Sequence, residues 1–101
     1  MRIIKAIANQ IHEEAEGAMD YAKNAVHYRE EYPELSRVYA DMAEQELTHA
    51  NKLHEFVVKF INEVRRINEP PVYMLEMWEE EHKEIIEEVA ETKAMIAMIQ
   101  R

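Results

Sequence analysis

The stretch AEQELTHA, residues 43–50, decides how this chain is read. It lies inside a long helical pattern. Glu46 and His49 fall three apart on the stripe that also carries Leu35, Val38, Met42, Leu53, Phe56, Phe60 and Val64. Residues three or four apart share one face of a helix. An acid and an imidazole are therefore expected on the face that apolar periodicity assigns to the interior. A buried charge without a partner is strongly destabilising, so the two side chains need each other, a further polar group, or a cation.

Working outward, the helix that holds this stretch is predicted over residues 33–67. Pro33 is tolerated in its first turn, and Asn68-Glu69-Pro70-Pro71 ends it. A first helix is predicted over 3–31, with an apolar stripe of Ile4, Ile7, Ile11, Ala18, Tyr21 or Ala22, Ala25 and Tyr28, interrupted by Glu14. Tyr32-Pro33 closes it, because the residue before a proline disfavours the helical region. A third helix is predicted over 72–100, with Leu75, Trp78, His82, Ile85, Val89, Thr92, Ile96 and Ile99 spaced alternately three and four apart. A second stripe on the middle helix (Leu47, Ala50, Val57, Ile61) makes it the expected centre of the bundle. The connections are short, which predicts antiparallel neighbours. With Gly 1 and Pro 3 there are few places to break a helix, so residues 1–101 read as one all-α domain.

Composition narrows the function classes. A net charge of −9 opposes nucleic-acid binding, which needs a basic face, and favours a cation as partner. Cys 0 excludes disulfides, thiolate metal sites and a rubredoxin-type iron centre in these residues, and fits a reducing cytoplasm. No run of 18 apolar residues exists to span a membrane. The opening MRIIKAIANQIHEE reaches Glu13 too early for a signal peptide and reads as helix. Three helices in 101 residues bury little surface alone, so self-association is expected.

Counting outward from the first turn at about 1.5 Å per residue, Glu14 and Glu16 both reach the level of Glu46 and His49. A Glu from one helix plus a Glu-x-x-His from its neighbour is half of a carboxylate-bridged two-iron site in a helical bundle. Oxygen and imidazole donors suit iron or manganese, with zinc a substitute. Glu-x-x-His alone is a weak signal; the interior placement and the depth-matched Glu14 raise it. The plainer alternative is a hydrogen-bonded interhelical contact. The second such pair, Glu79 and His82, lies roughly ten residues away in depth, or ~15 Å, and cannot share that site. His82 comes near the level of His12 and His54, which leaves a separate site open against the default of a capped or solvated histidine. Tyr21, seven residues after Glu14, reads either as a hydrogen-bond partner to a metal-bound carboxylate or as an ordinary core tyrosine. Met74, Met77, Met95 and Met98 read as packing, and the many glutamates of the third helix as a mostly solvated face.

EEAEGAMDY (13–21) and ELTHA (46–50) resemble the ferritin–rubrerythrin superfamily, most nearly the half-size encapsulated ferritins. The resemblance covers about residues 7 to 65. It implies that Glu14, Glu46 and His49 bind iron, that Tyr21 backs them, and that Glu13 and Glu16 line an iron entry route. It further implies that two chains meet face to face, completing a four-helix bundle around two irons, and that the assembly oxidises Fe(II) with oxygen inside an encapsulin shell. The third helix is longer than in that family, and Ile99-Gln100-Arg101 offers no encapsulin-targeting tail. A di-iron ferroxidase acting in iron storage or detoxification, in the cytoplasm or an encapsulin compartment, is the function expected. A metal-free helical scaffold and a rubrerythrin-like peroxide reductase are its rivals.

Overall fold

In the computed structural model, which describes residues 2–100, three helices account for nearly all of the chain: α1 (Arg2–Tyr28), α2 (Pro33–Ile67) and α3 (Val72–Ile99). No strand is present among the described residues, and no helix is long and apolar enough to cross a membrane. The bundle measures 56 × 21 × 18 Å. Its length is that of α2, whose 35 residues at about 1.5 Å each come to some 50 Å.

The turns form where the prolines demand them. Tyr32, ahead of Pro33, lies outside the helical region (φ −133°, ψ 70°), and α2 begins at Pro33. α1 ends at Tyr28, three residues short of the predicted Glu31, and residues 29–31 turn the chain over. Ser36 is buried in the first turn of α2, and its hydroxyl donates to the carbonyl of Ala25. That bond satisfies one of the acceptors a helix C-terminus leaves without an intrahelical partner. At the second turn, Asn68 is extended (φ −161°, ψ 158°), its side-chain carbonyl accepts from the backbone N–H of Glu69 at 3.0 Å, and Pro71 leads into α3.

The central helix is α1, not α2 as the double stripe suggested. Ile4, Ala8, Ile11, Ala15, Ala18, Ala22 and Ala25 are all buried, spaced four and three apart along the whole helix. This is the pattern of two helices packing ridges into grooves at a shallow angle. The alanines bring the backbones close, so α1 is walled by α2 on one side and α3 on the other. α2 and α3 make little contact with each other. A groove of about 400 Å³, floored by Ile11 and edged by Leu47, His54, Ile85 and Val89, separates them.

The interior of α2 is also the opposite of what large apolar residues suggest. Ser36, Ala40, Ala43, Ala50, Val57 and Ile61 are buried. No member of the predicted interior stripe is buried, and Leu35, Val38 and Phe56 are 39%, 52% and 47% exposed. Size explains the reversal. Opposite Ala15, Ala18, Ala22 and Ala25 only small side chains fit between α1 and α2, while Val57 and Ile61 are accommodated farther along, so the bulky stripe is turned outward. On α3 the expected stripe is largely correct: Trp78, Ile85, Thr92 and Ile96 are buried together with Met74. Leu75, His82, Val89 and Ile99 are half-buried. Met77 and Met95 pack against the core as expected, while Met98 is exposed.

Candidate metal centre

Glu14 of α1 meets Glu46 and His49 of α2 at the edge of the α1–α2 seam. Glu14 is one position away from the buried stripe, whose member here is Ala15, and so borders the seam rather than occupying it. His49 Nδ1 lies 3.6 Å from Glu14 Oε2 and 3.4 Å from Glu46 Oε1. Gln10, one turn earlier on α1, donates from Nε2 to Glu14 Oε1 at 2.9 Å. The two acids are mostly buried, while the His49 side chain is 54% exposed.

Gly17, the chain's single glycine, makes room for this arrangement. A Cβ on Gly17 would stand 3.3 Å from Glu46 Oε2, tighter than an easy contact. A mid-helix glycine costs about 1 kcal/mol relative to alanine. Here it lets the Glu46 carboxylate settle against the α1 backbone.

Two carboxyls this close do not both ionise comfortably. A hydrogen bond shared with Glu14, burial and the repulsion of the Glu14 charge push the Glu46 carboxyl above its ordinary range. The same hydrogen bond, with help from Gln10 and His49, holds Glu14 below its own. Of the two, Glu14 ionises first as pH rises and Glu46 holds its proton longer.

The donor set fits a metal ion. One donor atom from each of Glu14, Glu46 and His49 lies within 4.8 Å of the others. The His49 separations are too long for strong hydrogen bonds. Donors bound to one ion at about 2.1 Å stand roughly 3 Å apart, so small side-chain movements bring the three groups into a ligand shell. Two oxygens and one imidazole nitrogen match the preferences of iron and manganese.

The profile of the Rubrerythrin family matches residues 5–101. The chain belongs to the Rubrerythrin family. That is a family of ferritin-like di-iron proteins with redox chemistry, and its match extends over α3, beyond the stretch in which the sequence motifs were legible. No curated protein and no solved structure matches the chain.

Other residues singled out in the sequence of this Rubrerythrin-family chain fall elsewhere. Glu13 and Glu16 are exposed, and Glu16 does not join Glu14. Its charge acts instead on Glu88 of α3. The Tyr21 ring stacks on Tyr39 with centroids 6.1 Å apart, and Tyr39 stacks in turn on Tyr28 at 6.0 Å. Glu79 is exposed and does not pair with His82. His82 stacks on Trp78, with planes 4° apart, and faces His54 at 4.5 Å between centroids. Glu81 and Glu88 are half-buried, so the acids of α3 are not uniformly a solvated face. With Glu84 they surround His12, a grouping that the distance in sequence between α1 and α3 concealed.

Proposed function

We propose that this protein is a di-iron ferroxidase whose metal site is completed by a second copy of the chain. The observation that carries this reading is the position of Glu14, Glu46 and His49. They converge in the middle of a face that is apolar and uncovered in a single chain. Leu35, Val38 and Phe56 of α2 lie exposed on that face, with Ile3 of α1 46% exposed. Half-buried Ile7, Tyr21, Met42 and Phe60 lie between them. An apolar surface of this extent on a small protein signals an interface. A self-complementary twofold contact would bring two copies of the three donors together.

In that arrangement Glu14, Glu46 and His49 of each copy would together hold the two irons. Iron supplies the redox chemistry, each Fe(II) giving up one electron to dioxygen. The chain's residues supply the rest. Gln10 orients Glu14, Gly17 sets how closely Glu46 approaches α1, and the two carboxylates would bind the cation in their ionised forms. The packed apolar rim excludes water around the site. The same donors would accept Zn(II) as a redox-inert occupant, or Mn(II) as a redox-active one. The half-size, dimer-completed design is that of the encapsulated ferritins.

Anaerobic Fe(II) loading of the apo protein followed by air tests the reading. The expected result is a stoichiometric uptake of iron and a rise in ferric absorbance. In Glu46→Gln, which keeps the side chain's shape, the rate should fall by about 100-fold or more with helix content unchanged. No bound iron and no ferric absorbance in the wild-type protein would leave only a helical scaffold, whose assembly a chelator would not alter. Family membership favours peroxide reduction as a second reading. It would appear as faster oxidation of the Fe(II)-loaded protein by hydrogen peroxide than by oxygen, with re-reduction by a separate redox partner, since this chain has no cysteine.

A further inference from the structure

We infer that α1 and α3 form a second metal site, complete within one chain, in which His12, Glu81 and Glu84 take one divalent transition-metal cation and Glu88 orients the imidazole. It is independent of the two-iron reading. His12 and Glu14 are two residues apart, about 200° around α1, and so they serve opposite seams of the same helix.

The geometry is that of a ligand set lacking only its ion. One donor atom each from His12, Glu81 and Glu84 lies within 4.8 Å of the others. His12 Nε2 is 3.7 Å from Glu84 Oε2, and His12 Nδ1 is 3.9 Å from Glu88 Oε1. Both separations are too long for a hydrogen bond. His12 Nδ1 and Glu88 Oε1 are each sealed from solvent without any hydrogen-bond partner. Buried polar atoms left in that state are rare and costly. A cation at Nε2 resolves both at once. It fixes the imidazole as neutral with its proton on Nδ1, and that N–H then donates to Glu88, the usual support for a metal-bound histidine.

Charge points the same way. Glu81, Glu84 and Glu88 occupy one face of α3 at i, i+3 and i+7. Glu16 and Asp20 of α1 and Glu91 of α3 add negative field at Glu88. Among the described residues no lysine or arginine pairs with any of them. Like charge along such a seam opposes the packing of the two helices, and a cation between them relieves that repulsion. One nitrogen and two carboxylate oxygens suit Zn(II), Fe(II) or Co(II), with the remaining positions open to water.

The test uses apo protein carrying Glu46→Gln and His49→Ala, so that the first site is removed and its fate does not enter the result. This background is titrated with Co(II), read by its visible ligand-field bands, and with Zn(II), read by calorimetry and by Tm. One ion per chain and a rise in Tm are expected, because an ion bound only by the folded seam stabilises it. Adding His12→Gln or Glu84→Gln should weaken binding by about 100-fold, and Glu88→Gln by about 10-fold with the stoichiometry kept. Glu84 has a largely exposed side chain, so its replacement leaves the fold intact if His12→Gln does not. Absence of a bound ion in the background, or unchanged affinity in Glu84→Gln, would overturn the proposal.

Discussion

The two faces of α2 invert the usual ranking of inside and outside. The face against α1 holds Ser36, Ala40, Ala43 and Ala50. The face open to the surroundings holds Leu35, Val38 and Phe56. Packing distance rather than hydrophobicity chose between them, since Ala15, Ala18, Ala22 and Ala25 of α1 admit only small neighbours there. The difference teaches that in this part of α2 the small residues pack against α1 while the large ones are left facing outward. The acids and the imidazole lie on the second face because, in this reading, their interior is shared between two molecules.

The sharpest way to break that comparison is to charge the open face. Val38→Asp combined with Phe56→Asp should leave a folded, helical monomer while weakening self-association by about 100-fold or more. Light scattering after size-exclusion chromatography reads the mass directly. A variant that retains the wild-type mass would mean that the large residues serve no interface. The complementary change acts on the other face. Ala43 is fully buried beside Ala22 and Ile96, and Ala43→Leu should cost about 1–3 kcal/mol by overpacking, measured by urea unfolding. If leucine is tolerated there without loss, the close α1–α2 spacing is not what turned the bulky stripe outward.

The smallest effect concerns the α2–α3 groove, where the assembly face plays no part. His54 sits against Trp78 and His82. Burial, and then the charge of His82, hold its imidazole below the ordinary 6.5, with Glu55 opposing. The folded chain therefore resists protonation that the unfolded chain accepts. Stability from this group is full above pH 6.5 and is lost as pH falls below it. His54→Leu should flatten the acid side of a Tm-against-pH curve, relative to wild type. An unaltered slope would place the sensitivity at other groups.

Much of this was legible in the sequence, and what was not has a physical reason. The prolines and Asn68 placed both turns, because they act through local backbone geometry. Glu14, Glu46 and His49 could be matched in depth because a short turn between straight helices preserves the count. The choice of face on α2 could not be read from hydrophobicity, since it depends on the thickness of the helix opposite. That thickness was signalled by Ala8 and Ala15, whose low hydrophobicity hid them from the apolar count. The His12 grouping depends on how α3 is rotated against α1, for which no short connection supplied a register.

The core is unevenly filled along the bundle. Ile4, Ile11, Ile61, Met74 and Trp78 crowd the end near the second turn, whereas the end near the first turn has Ala22, Ala43 and Ile96. Large buried side chains are fewer toward the first turn, where the Tyr21–Tyr39–Tyr28 stack takes up part of the packing. The chain thus has a densely filled end and a sparsely filled end, and Gly17 with Glu46 stands near the border. An ion held there would tie α1 to α2 at that border, so under the proposed function it would act on the sparsely filled half mechanically as well as at its own site.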